Sequence, residues 1–97
     1  MNKVHTCKIK KNGNGVVYSY TSKNKALLPT DYNSGSHDYT RENLLRGMMH
    51  FFEISNIEGT YAEKTAIAES RIPEFEFEVL PSVGTKEKVL GDMGIFE

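Results

Sequence analysis

The sequence predicts an α+β fold: a small antiparallel sheet, made of an amino-terminal hairpin and one later strand, packed on one amphipathic helix with a shorter second helix beside it. Three stretches carry that expectation. Asn12-Gly13-Asn14-Gly15 lies between two β-branched and aromatic runs; residues 40–55, TRENLLRGMMHFFEIS, carry a helical period; and Glu74-Phe75-Glu76-Phe77-Glu78-Val79 alternates strictly. With 97 residues there is room for one core, so residues 1–97 form a single domain.

Taken in order, Val4 to Ile9 and Val16 to Thr21 read as the two hairpin strands, because overlapping Asn-Gly pairs tolerate the positive φ angles of a type I′ turn. Strand alternation puts His5, Cys7 and Ile9 on one face of the first strand and Val4, Thr6, Lys8 and Lys10 on its solvent side. On the second strand, Val16, Tyr18 and Tyr20 share a face. From Ser22 to Tyr39 neither period is sustained, so this segment reads as a long connection, with Asn33-Ser34-Gly35-Ser36 as a flexible turn.

The helix from Thr40 follows from geometry. At about 100° per residue, Leu44, Leu45, Met48, Met49, Phe51 and Phe52 fall within an arc of about 160°, while Glu42, Asn43, Arg46, His50 and Glu53 occupy the other side. Thr40 is the N-cap, and Glu42 lies in the field of the positive helix end. Residues 56–59 end the helix. Thr60 and Glu63 then match a capping box, which starts a second helix running to about Ser70. Pro73 blocks its continuation, and the Phe75 strand follows with three glutamates facing water. Residues 86–90 fit a last strand or one helical turn. The tail from Met93 to Phe96 either packs on the core or serves as a linear motif.

Leu, Ile, Val and Phe make up 23 of the 97 residues, about 24%, above the roughly 20% below which chains tend to stay disordered. No apolar run reaches the roughly 18 residues of a membrane span, and no apolar leader segment follows the amino terminus. The lone Cys7 forms no internal disulfide; together these predict a cytoplasmic protein with no membrane partner. The net charge of −1 conceals a division. Residues 1–25 hold six lysines and no acid, whereas residues 53–78 hold seven glutamates against Lys64 and Arg71. Such a split makes either two surfaces of opposite sign or two ends that attract each other.

Catalytic and metal chemistry find little support. His5, Cys7, His37 and His50 match no zinc spacing. Nucleophilic catalysis by Cys7 with His37 or His50 has no local support, Gly13-x-Gly15 lacks the rest of a dinucleotide loop, and Glu74, Glu76 and Glu78 sit on a solvated strand face rather than in the dry pocket that general acid-base work needs. The chain is therefore expected to be non-enzymatic, with no metal and no cofactor. Its leading reading is a protein-binding module acting through an acidic strand and helix surface, Glu69, Glu74, Glu76 and Glu78, together with Tyr32 and Asp38 of the long loop. Small size and a Lys- and Asn-rich composition suit an inhibitor or accessory protein of a bacterial phage or mobile element. The competing expectation is a nucleic-acid-binding module, in which Lys8, Lys10 and Lys11 hold phosphates and Tyr18 or Tyr20 stacks bases. A pI near 6.3 weighs against it.

Overall fold

The computed structural model describes residues 3–95. Its elements are β1 (His5–Asn12), β2 (Gly15–Ser22), β3 (Tyr32–Ser36), α1 (Arg41–Phe51), α2 (Tyr61–Ser70), β4 (Phe75–Val79) and α3 (Lys86–Asp92), with single 3-10 turns at Ile54–Asn56 and Ile72–Glu74. This is the α+β architecture expected. The sheet, however, is mixed rather than antiparallel: in the order β3-β2-β1-β4, β4 runs parallel to β1. The chain enters β4 from α2 through a turn beside the start of β1, where Val4 N–H donates to the Glu74 carbonyl at 3.0 Å. It therefore runs in the same direction as β1, and the intervening helices supply the crossover that a parallel pair needs.

The hairpin forms at the expected place, with Asn12 opposite Gly15. Its two-residue loop is Gly13-Asn14, and only Gly13 has a positive φ, at 60°, so the turn belongs to the II′ rather than the I′ class. The segment Asn33-Ser34-Gly35-Ser36 is not a flexible turn. It belongs to β3, where Asn33 faces Ser19 and Gly35 faces Val17. Here the open edge of β2 overrides weak strand propensity, since a pairing partner can order a short polar segment.

Thr40 caps α1 as expected, its hydroxyl accepting from Asn43 N–H at 3.1 Å. The helix ends at Phe51 because Glu53 adopts a left-handed conformation (φ 61°), which breaks the helical path without a glycine. Phe52 is consequently only half-buried, while Leu44, Leu45, Met48, Met49 and Phe51 are core as expected. The capping box of α2 is complete: Glu63 N–H donates to Thr60 Oγ1 and Thr60 N–H to a Glu63 carboxyl oxygen. Residues 86–92 are the helix α3, capped by Thr85. Met93 and Ile95 fold back into the core, and Phe96 lies outside the described residues. No helix among the described residues is long and apolar enough to cross a membrane.

One sheet face packs on the helices. Its rungs run Phe77–Cys7–Tyr20–Tyr32 and Val79–Ile9–Tyr18–Ser34 from β4 to β3. The close approach of α1 depends on Gly47. A Cβ there would stand 2.3 Å from Tyr20 Oη, the hydroxyl that donates to the Leu44 carbonyl at 2.8 Å. The opposite face carries Lys8, Lys10, Ser19, Thr21, Glu76 and Glu78, each partly or fully exposed.

Gly47→Ala therefore gives a clear stability prediction. Although Ala is favoured over Gly within a helix by about 1 kcal/mol, displacing a buried tyrosine and its hydrogen bond costs more, for a net loss of about 2 kcal/mol. Gly91→Ala in α3, where an added Cβ meets nothing within 4 Å, should be neutral or stabilising. Urea denaturation of both variants checks this; equal stability for Gly47→Ala would contradict the packing.

Candidate functional site

The residues singled out from sequence do not form one surface. Glu78 faces Lys8 at 3.8 Å and Glu76 faces Lys23 at 3.5 Å, both on the outer sheet face. Glu69 on α2 accepts from Arg41 at 3.3 Å, and Glu74 accepts from Arg71. All four expected acidic contacts are thus answered by a cation of the same chain. The two charged ends attract each other instead of presenting opposite faces. Asp38 lies elsewhere, at the entry to α1, where its carbonyl accepts from Ser36 and Asn43. Tyr32 stacks on His50, with centroids 5.5 Å apart.

The basic set is divided between the two faces of the sheet. Tyr18 and Tyr20 are completely buried and lie on the inner sheet face, opposite to Lys8 and Lys10. Their hydroxyls are engaged by Thr40 N–H and the Leu44 carbonyl, and burial pushes both phenols up, that of Tyr18 to about 12. They cannot stack on bases. Cys7 is equally enclosed, and burial pushes its thiol up, which removes any thiolate chemistry. Among the described residues, no three His, Cys, Asp or Glu side chains converge on a possible metal position.

What the fold does assemble lies at the end where β1 begins and β2 and α1 finish. There the connection after β2 turns back on itself: Leu27 and Leu28 N–H both donate to the Asn24 carbonyl, and the Asn24 side chain accepts from Ala26 N–H. Lys25 and Asp31 pair across the base of this loop. The loop holds Leu27 out in solvent, 77% exposed, between two clefts. One, of about 410 Å³, has Val4, Leu28 and Phe52 as apolar walls; the other, of about 310 Å³, is bounded by Pro29, Tyr32, His50 and Phe51. Of the expected residues, Tyr32 and Glu74 are the two that reach these clefts.

The larger cleft has a polar floor that links residues far apart in sequence. His5, 4% exposed, is enclosed by the rings of Phe51, Phe52 and Phe75 at centroid distances of 5.9, 5.1 and 5.2 Å. Its Nε2 lies 3.0 Å from Glu74 Oε1 and its Nδ1 lies 3.1 Å from Ser22 Oγ. A carboxylate only accepts, so Nε2 carries the proton and Nδ1 accepts from the serine. Ser22 in turn accepts from Asn24 N–H at 3.1 Å. Arg71 clamps Glu74 with two hydrogen bonds of 3.1 and 3.2 Å while its guanidinium lies 3.9 Å over the Phe52 ring.

Burial is the main cause that holds the His5 imidazole below its ordinary value near 6.5, with Glu74 opposing and Arg71 adding to it. Partial burial works to raise the Glu74 carboxyl, but Arg71 and then His5 outweigh it and leave the group below its ordinary value near 4.5. At neutral pH the His5–Glu74 contact is therefore a hydrogen bond from a neutral ring, although the distance alone would also fit an ion pair.

A serine, a histidine and a carboxylate in series suggest hydrolytic chemistry, yet the surroundings do not complete it. Ser22 is 4% exposed and its oxygen already accepts a backbone N–H. The neighbouring N–H groups of Lys23, Ala26, Leu27 and Leu28 all donate within the chain, so they do not form an oxyanion site. The array instead ties β1, β2 and the turn before β4 together beneath the cleft. Sequence reasoning gave no site role to His5, Ser22, Arg71, Phe52 or Leu27. The expected strand register did place His5 on the core face with Cys7, and a histidine there demands buried partners; Leu27 and Phe52 offered no comparable signal.

Both depressed pKa values mean that the folded state binds fewer protons than the unfolded chain. Their contribution to stability is complete above about pH 6.5, falls first as His5 protonation opposes folding, and falls again below about pH 4.5 through Glu74. His5→Gln should destabilise the protein by about 1–3 kcal/mol at pH 7.5 and flatten the stability slope between pH 7 and 5. Urea titrations at three pH values test this; an unchanged slope in the variant would contradict it. Comparison with known proteins adds nothing to this picture, since no family model, no curated protein and no solved structure matches the chain.

Proposed function

We propose that the protein is a non-enzymatic protein-binding module, an inhibitor or accessory factor, that docks its partner at the Leu27 end. The observation that carries this reading is the exposed Leu27 side chain, held by a hydrogen-bonded loop between two clefts with apolar walls. An apolar centre fringed by Arg71, Glu74, His50 and the Lys25–Asp31 pair has the anatomy of a protein interface, with an apolar core and a polar rim. A partner presenting an apolar side chain beside Leu27 would fill the larger cleft and find a donor in Arg71. The incomplete hydrolytic surroundings of Ser22 favour binding over catalysis, and the single cysteine supports a reducing, cytoplasmic setting.

The nucleic-acid reading keeps one supporting observation. Lys10 and Lys11 have no carboxylate partner among the described residues, so phosphate contact at the hairpin tip is the form that reading would take, without base stacking.

Leu27→Asp separates the two. Leu27 is too exposed for this change to alter stability by more than about 0.5 kcal/mol. Affinity capture from the native host, with nuclease treatment of half the sample, should show one protein partner that is nuclease-resistant and reduced about tenfold by Leu27→Asp. Glu69→Gln, on the distant α2 surface, should leave it unchanged. Retention of the same partner by the Leu27 variant would overturn the site; nuclease-sensitive capture lost in a Lys10→Ala/Lys11→Ala variant would favour nucleic acid.

A further inference from the structure

The β4 strand closes one side of the sheet, and among the described residues no further strand pairs with its far side. In a parallel pair, alternate residues direct both main-chain groups toward the neighbouring strand. Leu80 N–H donates to the Ile9 carbonyl at 3.1 Å, which assigns the inward set to Glu76, Glu78 and Leu80. Phe77 and Val79 therefore direct their N–H and C=O groups outward, and among the described residues no main-chain hydrogen bond from a loop, turn or cap reaches them. Main-chain groups left open along a strand edge are a template for another strand.

We propose that this edge accepts an extended segment of a partner protein whose side chains alternate between basic and apolar. Charge and alternation define the occupant. On the outer face the incoming strand would lie beside Glu76 and Glu78; on the inner face it would lie beside Phe75, Phe77 and Val79. The chain already contains a strand of this kind on the other side of β4. In β1, Cys7 and Ile9 face inward while Lys8 faces outward opposite Glu78. The Lys8–Glu78 and Lys23–Glu76 contacts are long, at 3.8 and 3.5 Å, and solvent-exposed, so the glutamates can turn toward new cations at little cost. A second copy of this chain is a poor occupant, because antiparallel pairing of two β4 edges would set Glu76 against the other copy's Glu78. This surface is separate from the Leu27 end, and the two can fail independently.

The probe is a synthetic peptide copying residues 4–12 with Ser in place of Cys7, titrated into the full-length protein by NMR. A saturable response led by the Phe77 and Val79 amides, weakened by salt, is expected. A peptide with Glu at each lysine position should not bind. Glu76→Lys/Glu78→Lys should weaken the peptide about tenfold. Should that variant unfold, Val79→Pro provides the second test. It removes an outward N–H and none of the hydrogen bonds to β1, and Val79 is only partly buried, so strand addition should be lost while the fold persists. The proposal is overturned if the peptide perturbs only the Leu27 end, if the acidic peptide binds equally well, if a folded variant binds as the parent does, or if sedimentation shows a dimer held through β4.

Discussion

Parallel pairing of β4 with β1 is the constraint on which most of the structure depends. It sets the basic first strand beside the acidic last one, so that Lys8 meets Glu78 and Lys23 of the following segment meets Glu76. Each such contact is exposed and contributes at most about 1 kcal/mol. Their larger consequence is distributional, since a chain with two strongly charged ends folds into a sheet face of mixed sign. The same pairing lines up Phe77, Cys7, Tyr20 and Tyr32 on the other face, giving α1 an apolar floor. It also leaves β4 at the border of the sheet, with no further strand paired on its outer side among the described residues.

The end of the molecule where β1 starts inherits its shape from this arrangement. His5 is drawn into the core by its register opposite Phe75 and Ser22, and a buried imidazole needs partners at both nitrogens. Ser22 and Glu74 provide them, and Arg71 fixes Glu74 from the far side. The knot holds three separate segments under the cleft, while Asn24 folds the following loop into a compact turn. A hydrogen-bonded polar floor beneath a projecting leucine supports the docking proposed at this end, because fewer groups would remain to be ordered when a partner arrives.

Much of this was legible in the sequence because it is local. The Phe75 strand announces itself by alternation, α2 by Thr60 and Glu63, and α1 by the arc of Leu44 to Phe51. What escaped depends on distant partners. Glu76 and Glu78 read as a free acidic face because nothing nearby in sequence names Lys8 and Lys23. The polar run Asn33 to Ser36 reads as a turn until β2 offers it an edge. Glu53 ends α1 by a backbone conformation that its residue type does not advertise. Tyr18 and Tyr20 are a different case. In the hairpin they pair with Ile9 and Cys7, on the face away from Lys8 and Lys10, and that register alone would have removed them from a nucleic-acid surface. The Leu27 end was hardest to foresee, because His5 and Glu74 beneath it lie 69 residues apart.

Residue-resolved amide hydrogen exchange along β4 tests the account most directly. Parallel pairing on one side and an open edge on the other require alternation: slow exchange at Glu76, Glu78 and Leu80, and fast exchange at Phe77 and Val79 despite the burial of the Phe77 ring. Uniform protection of all five amides would show that the outer edge is already occupied, and fast exchange at Glu76 and Glu78 would show that β4 does not lie against β1.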